Sequence, residues 1–435
     1  MLSQLKHVCK FRFVSQRLPN ISSKLFKVNY AATAQSTNKL TVQSIQKTDI
    51  SRMLHVTWNN DTINRYPFVY LRDNCQCSEC FHESSLQRSF DTVGHLKMDI
   101  QPERVDVLQN GEEISVTWPD KHVSVFNSEW LHAIHLMEEQ DISKGTSTLN
   151  KDGVIFWNAE QLQGKIPRHD FHELMEDDFK LYEWLHSLRS VGIALVKNTP
   201  PQADEGYKLC ERVGYAKTMH YGHHFDIHAK FDANNLAFTS DVLPLHSDLP
   251  YFDYVPGATL LHCIEQASSE GGANQFSDGF YVAQQLKEND PEKFKLLSTT
   301  QIPFFDIGKD VFGEFHKKFS HPTIELDEDG HITRLCLNDS LRDSATWFSP
   351  EKTIEVYEAY LTIGRMLRDP ANQIEHKMIP GDAVIFNNNR VLHGRSPFKI
   401  TQASKRFLQG FFMDWDVIYS RMRVLAKRFD IPFGL

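Results

Sequence analysis

The stretch His246-Ser-Asp-Leu-Pro250, running through Pro256-Gly257 into the apolar segment Ala258-Thr-Leu-Leu-His-Cys-Ile264, decides how this chain reads. His246-Ser247-Asp248 is an H-x-D tripeptide. In a strand, residues two apart project to the same face, so an imidazole and a carboxylate at this spacing can meet one ion. A second copy, His224-Phe225-Asp226, shows how easily the pattern arises, and it is read as a decoy. The copy at 246–248 gains weight from the turn signals and apolar run that follow it. It gains more from a distal histidine, His393, which lies in Arg390-Val-Leu-His-Gly-Arg395 after the turn and strand Pro380-Gly-Asp-Ala-Val-Ile-Phe386.

Two histidines and one carboxylate occupying one face of a metal leave three positions open, which is the donor set of non-haem Fe(II) oxygenases. His246, Asp248 and His393 are therefore the candidate iron ligands. Arg406, thirteen residues after His393, offers a planar fork for the far carboxylate of 2-oxoglutarate as co-substrate.

Outward from this site the pattern is one of short strands. Ala258–Ile264, Ile302-Pro-Phe-Phe and Asp382-Ala-Val-Ile-Phe alternate with Gly, Pro and Asn/Asp turns, and a helical stretch is expected over Thr353–Leu367. Leu181, Trp184, Leu185 and Leu188 have helical spacing within Asp178–Ser190, followed by a strand from Val191. The expected fold is mainly β with flanking helices, a double-stranded β-helix (jelly roll). Residues 45–135 read as a separate small β-rich unit. His55–Asp61 and Tyr66–Leu71 are expected as two strands, and Val105–Leu108 with Ile114–Trp118 as a hairpin over an Asn110-Gly111 turn. Residues 136–165 read as a connecting segment. No internal repeat is legible.

The first 48 residues contain eight Lys and Arg and no acid, with Ser and Asn interspersed. Residues 1–40 read as a mitochondrial transit peptide, placing the protein in the matrix, with the cytoplasm as the alternative if this is only a basic tail. Subtracting those eight cations from a net charge of −9 leaves −17. A body so acidic is a poor match for nucleic acid or an anionic membrane surface and a better one for a small cationic substrate. No run of apolar residues is long enough to span a bilayer. Of seven cysteines, Cys75, Cys77 and Cys80 form C-x-C-x2-C, and one histidine would close a tetrahedral Cys3His zinc site. His82 is near in sequence and His122 is the other choice.

Leu71-Arg-Asp-Asn-Cys-Gln-Cys-Ser-Glu-Cys80, Thr117-Trp-Pro-Asp-Lys-His122, Pro256-Gly257 with Leu261-His-Cys-Ile264, Asp278-Gly-Phe280, Val391-Leu-His-Gly-Arg395 and Asp414-Trp-Asp-Val417 resemble the gamma-butyrobetaine hydroxylase family, in order from about residue 50 to the C-terminus. Trimethyllysine dioxygenases share most of these motifs, while Asp414-Trp-Asp-Val and Asp306-Ile-Gly favour the former. The resemblance implies a zinc-binding N-terminal domain over 45–135, a dioxygenase domain over 166–435, and a homodimer. It also implies ascorbate as an accessory cofactor and maps the fourth zinc ligand onto His122. An aromatic cage for a trimethylammonium substrate maps onto Tyr221, Phe225, Phe238 and Phe412, with Leu249 nearby, and carboxylate contacts onto Asn235 and Asn338. The implied reaction is hydroxylation of gamma-butyrobetaine to L-carnitine. The alternatives are the same chemistry on trimethyllysine, and an inactive zinc-containing binding protein on the oxygenase scaffold.

Overall fold

A computed structural model describes residues 39–136, 153–228, 240–344, 348–399 and 406–433. The leader up to Asn38, most of the connecting segment, Asn235 and Phe238 lie outside the described residues. The chain divides into two compact units, Met1–Lys144 and Gly145–Leu435.

The first unit is built twice from one plan. The antiparallel strands Val42–Thr48, Met53–Trp58 and Ile63–Pro67 lead into the helix Phe68–Asp73. The strands Arg104–Leu108, Glu113–Thr117 and Val123–Asn127 lead into the helix Ser128–Ala133. Leu54 and Ile114, Val56 and Val116, Trp58 and Trp118, Tyr66 and Phe126, and Leu71 and Leu131 are buried pairs, each sixty residues apart. The hairpin turns match as well. Trp58 N–H donates to Thr62 O and Trp118 N–H to His122 O, both at 2.9 Å. Asp61 and Lys121 take φ of 64° and 68°. This corrects the expectation of no repeat, which the sequence hides because only Val-Thr-Trp and Leu71/Leu131 are identical within the matching cores while the burial of the apolar positions is shared. Two local expectations also change. Tyr66–Leu71 is not one strand, since the strand ends at Pro67 and Phe68, Leu71 and Arg72 are buried at helical spacing. Asn110-Gly111 sits in a short 3₁₀ segment, Gln109–Gly111, rather than a two-residue turn.

The second unit is the expected jelly roll. The larger sheet runs, in spatial order, Phe225–His228, Phe407–Met413, Ala258–Glu265, Ala383–Asn387, Ile193–Lys197 and Arg168–Asp170. The smaller runs Leu243–His246, Val391–Arg395, Asn274–Asp278 and Gln373–His376, antiparallel throughout. Alternation along the larger sheet divides its side chains. Ala194, Val196, Leu260, Ile385 and Phe411 pack against the helices Asp178–Val191, Glu205–Val213 and Trp415–Arg428. Leu195, Leu261, Val384, Phe386 and Leu408 turn inward to meet Phe276, Ile374 and Val391 of the smaller sheet. The helices Gly279–Asn289, Pro291–Thr299 and Pro350–Arg368 cover the far side of the smaller sheet through Leu245 and Leu392. Ile302-Pro-Phe-Phe extends into a long hairpin, Gln301–Asp310 with Gly313–Pro322.

A buried ion pair closes one end of the smaller sheet. Arg390 Nε and Nη2 donate to Asp278 Oδ1 and Oδ2 at 2.9 and 2.7 Å, and Arg390 Nη1 donates to Ser190 O. Asp278 also caps the helix beginning at Gly279 by accepting from Phe280 N–H. Both charges are paired on every side, the condition under which a buried pair is tolerated.

Candidate active site

His246 ends its strand, and its Cα partner on the neighbouring strand is His393. Register, not chain proximity, brings the two imidazoles to a centroid separation of 4.2 Å. Close approach depends on Gly394, since a Cβ there would lie 2.7 Å from Leu243 O. Asp248 does not lie on the strand, so the same-face argument from sequence is not what places it. It sits in the loop after the strand, followed by Leu249 at φ 57°. Its Oδ1 lies 3.5 Å from His246 Nε2 and its Oδ2 3.7 Å from His393 Nε2.

The surroundings prepare these atoms for a cation. His246 Nδ1 lies 2.8 Å from Pro244 O, so it carries the proton and Nε2 presents its lone pair. Burial pushes His393 down to about 4, leaving it neutral near pH 7. Burial opposes the charge on Asp248, but the facing His393, the His246 contact and the Thr259 hydroxyl outweigh it and hold the carboxyl below its ordinary value. Thr259 Oγ donates to Asp248 Oδ2 at 3.0 Å. Two imidazoles and one carboxylate, converging in the interior, fit a divalent ion. Buried His393 Nδ1 finds no partner among the described residues.

The same cavity is lined by Asn274, Arg395 and Arg406. Arg406 is almost fully buried, and among the described residues it has no carboxylate partner. Its Nη2 donates to Asn274 Oδ1 at 3.3 Å, while its Nε has no partner there. Burial, then the like charge of Arg395, lowers Arg406 to about 10. Arg395 Nη2 donates to Asp241 O, and both guanidiniums lie over the Phe398 ring. Two neighbouring buried cations beside a metal-ligand cluster fit a small dicarboxylate that chelates the metal at one end. A larger open groove of about 770 Å³ near Arg168, His169 and His186 contains none of these groups.

Phe225, another wall of the cavity, begins an aromatic cluster. Phe225 stacks on Phe412 at 5.1 Å, and Tyr221 stands 5.6 Å from Phe225 and 6.4 Å from Phe412. Gly410 makes the room, since a Cβ there would come within 2.1 Å of the Phe225 ring. Three of the four expected cage residues thus meet. Asn338 is buried and engaged by the protein itself: Nδ2 donates to Ser247 O, and Oδ1 accepts from Ser340 and Leu341 N–H. The other H-x-D meets different partners: His224 Nε2 lies 3.7 Å from Asp226 Oδ1 and His224 Nδ1 3.9 Å from Asp204 Oδ1, and Gln409 donates to Asp226.

In the first unit, Cys75, Cys77 and Cys80 Sγ lie 3.3, 3.5 and 3.6 Å from His122 Nε2. A tetrahedral zinc with ordinary Zn–S and Zn–N bonds has an S···N edge of about 3.6 Å, so the set fits that ion. His82 faces Ser85 instead, 2.9 Å away. The cysteines follow the first half's helix and His122 sits in the second half's turn, so a metal here would staple the two copies together. Arg72 Nη1 donates to Cys80 Sγ at 3.4 Å.

Sequence reasoning missed Thr259, Asn274, Asn388 and the role of Arg395. Only Arg395 carried a signal, its place in His-Gly-Arg.

Comparison with known proteins gives the family of the chain. The Taurine catabolism dioxygenase TauD, TfdA family matches residues 156–411. A gamma-butyrobetaine hydroxylase-like N-terminal family matches residues 45–132. Gamma-butyrobetaine dioxygenase of Homo sapiens is 33% identical over 390 residues, covering 90% of this chain and 98% of that one. The chain belongs to the gamma-butyrobetaine dioxygenase family. Within it, gamma-butyrobetaine dioxygenase of Pseudomonas sp. (strain AK-1) is 30% identical, covering 86% of this chain and 93% of its own. The mitochondrial trimethyllysine dioxygenase of Gallus gallus is 29% identical, covering 84% of each. The protein is accordingly a 2-oxoglutarate-dependent dioxygenase that uses Fe(II).

Proposed function

We propose that this enzyme hydroxylates gamma-butyrobetaine to L-carnitine, with His246, Asp248 and His393 holding iron and Arg406, assisted by Arg395, holding 2-oxoglutarate. The observation that carries the reading is the convergence of that triad, two buried guanidiniums and Phe225 on one cavity. Iron(II) with 2-oxoglutarate and O2 supplies an oxidant that places one oxygen atom in an unactivated C–H bond and the other in succinate, with loss of CO2.

The chain's own residues supply position. The Pro244 carbonyl fixes the His246 tautomer, Thr259 orients the Asp248 carboxylate, and Arg406 aligns the co-substrate from its far end. Tyr221, Phe225 and Phe412 offer π faces to a quaternary ammonium, roughly 0.5–2 kcal/mol per ring, and would orient a trimethylammonium substrate in the cavity. Phe238, Asn235 and Asn338 complete the substrate contacts in this reading, with Asn338 left one amide hydrogen for the purpose. Zinc in the Cys75, Cys77, Cys80 and His122 site is structural, and the domain boundaries at 45–135 and 166–435 follow. The acid-poor first 48 residues support a mitochondrial location, the family resemblance a homodimer, and ascorbate is the accessory reductant.

The test is succinate release from 2-oxoglutarate with gamma-butyrobetaine and, separately, with trimethyllysine. A kcat/KM at least tenfold higher for gamma-butyrobetaine is expected. Preference for trimethyllysine assigns the other substrate, and no turnover with any trimethylammonium compound returns the inactive-scaffold reading.

A further inference from the structure

Asp248 lies beyond the end of its strand, so the sheet's pleat does not set where its carboxylate goes. Asn388, almost fully buried in the turn between the strands Ala383–Asn387 and Val391–Arg395, takes that role. Its Oδ1 accepts from Asp248 N–H at 2.8 Å, and its Nδ2 donates to Asp248 O at 3.1 Å and to Pro256 O at 3.0 Å. Its own N–H donates to Gly257 O at 3.0 Å. Both amide hydrogens and the carbonyl are thereby used, and both backbone polar groups of Asp248 end on one side chain.

Asn388 stands five residues before His393 at the entry to the strand that carries it. One amide therefore ties the loop ligand to the strand ligand. We propose that Asn388 is a positioning residue that sets the Asp248 carboxylate against His393, and so sets metal affinity and reactivity without touching the metal. This rests on the reading of Asp248 as a metal ligand. No other side chain reproduces the pattern. Aspartate turns an acceptor toward two carbonyls, and alanine leaves Asp248 N–H and O without their partner.

The test uses the full chain with its zinc in place, titrated anaerobically with Mn(II), which suits carboxylate and imidazole rather than thiolate donors. Free Mn(II) is read by its electron paramagnetic resonance signal. Asn388→Ala is expected to weaken Mn(II) binding about 10–100-fold, the usual effect of losing an outer partner of a metal site. It lowers kcat while the KM for 2-oxoglutarate stays within threefold. Asn388→Ser, which keeps an acceptor toward Asp248 N–H, is expected to recover part of the affinity, and it gives the same reading where the alanine variant does not fold. Leu367→Ala, in the helical layer, serves as the stability control, lowering Tm with Mn(II) affinity within twofold. Mn(II) affinity of both Asn388 variants within threefold of wild type overturns the proposal. Asp248→Ala separates the two readings: unchanged affinity there overturns the ligand assignment itself, whereas loss there with retention in the Asn388 variants overturns only the positioning role.

Discussion

Arg406→Met separates what this guanidinium costs the empty protein from what it contributes once 2-oxoglutarate is bound. Methionine has similar length and fills the same apolar shell beside Phe398 and Leu408. Burial lowers Arg406 from 12.5 to about 10. A depressed pKa on a base means that folding disfavours the charged form, and the drop corresponds to about 3 kcal/mol lost at neutral pH. Removing the charge relieves that cost, so the unliganded variant is expected to melt at or above the wild-type Tm. With co-substrate the sign reverses. Two charge-assisted bonds to a carboxylate contribute about 1.5–3 kcal/mol each, and the remaining Arg395 recovers part of the loss. A net loss of about 3–4 kcal/mol raises the KM for 2-oxoglutarate roughly 10²–10³-fold. The KM for the hydroxylated substrate should stay within about threefold. The assay is succinate release against 2-oxoglutarate concentration, paired with melting curves with and without 2-oxoglutarate under nitrogen. A KM for 2-oxoglutarate within threefold of wild type refutes the assignment. An unliganded Tm several degrees lower refutes the argument that the charge is a cost awaiting its partner.

Four further outcomes test separate parts of the structure. On the proposed zinc site, wild-type protein should carry about one zinc per chain, His122→Ala should lose it and His82→Ala should retain it, all read by elemental analysis, because His122 and not His82 meets the three cysteine sulfurs. Arg390→Leu leaves Asp278 charged and buried with its bidentate partner gone, and urea unfolding should show a loss of about 3–5 kcal/mol; a loss below 1 kcal/mol would contradict the pairing. Gly410→Ala drives a Cβ into the Phe225 ring and should raise the substrate KM about tenfold or more, with uncoupled 2-oxoglutarate turnover retained. Asp226→Ala should leave Mn(II) binding unchanged, since His224 and Asp226 gather no third ligand among the described residues.

The fold was legible where local pattern and tertiary role coincide. Ala258–Glu265 is a strand buried on both faces, announced by a short apolar run between turn signals, and Asp178–Val191 presents Leu181, Trp184, Leu185 and Leu188 to one layer, announced by helical periodicity. Tyr66–Leu71 misled because six mostly apolar residues suit either element, and the choice was made by packing: Leu71 and Arg72 are needed at the same buried face as Phe68. The internal repeat hid for a related reason. Leu54 and Ile114, or Tyr66 and Phe126, share size and burial but not identity, and a core constrains volume more strongly than it constrains residue type.

For the site, the sequence named the ligand types and missed how they are held. An H-x-D tripeptide suggests two side chains on one face of a strand, yet the strand ends at His246 and Asp248 reaches the same point from a loop. That difference has a physical consequence. A strand residue inherits its position from the ladder, whereas a loop carboxylate needs its own partners: Thr259 from the next strand on Oδ2, and, from chain far away in sequence, Asn388 on the backbone and Asn338 on the carbonyl of Ser247. Pairing of His246 with His393 is likewise a matter of register between strands well over a hundred residues apart, for which neither local segment carries a mark. The two H-x-D copies make the point within one chain. His224-Phe-Asp226 lies closer to the strand geometry that the motif suggests, with Phe225 opening a strand that pairs with Phe407–Met413. It nevertheless gathers no third ligand among the described residues. What distinguishes 246–248 is a partner strand that supplies His393 and a turn that supplies Asn388, so the proposed metal site is a property of the sheet closing rather than of the tripeptide.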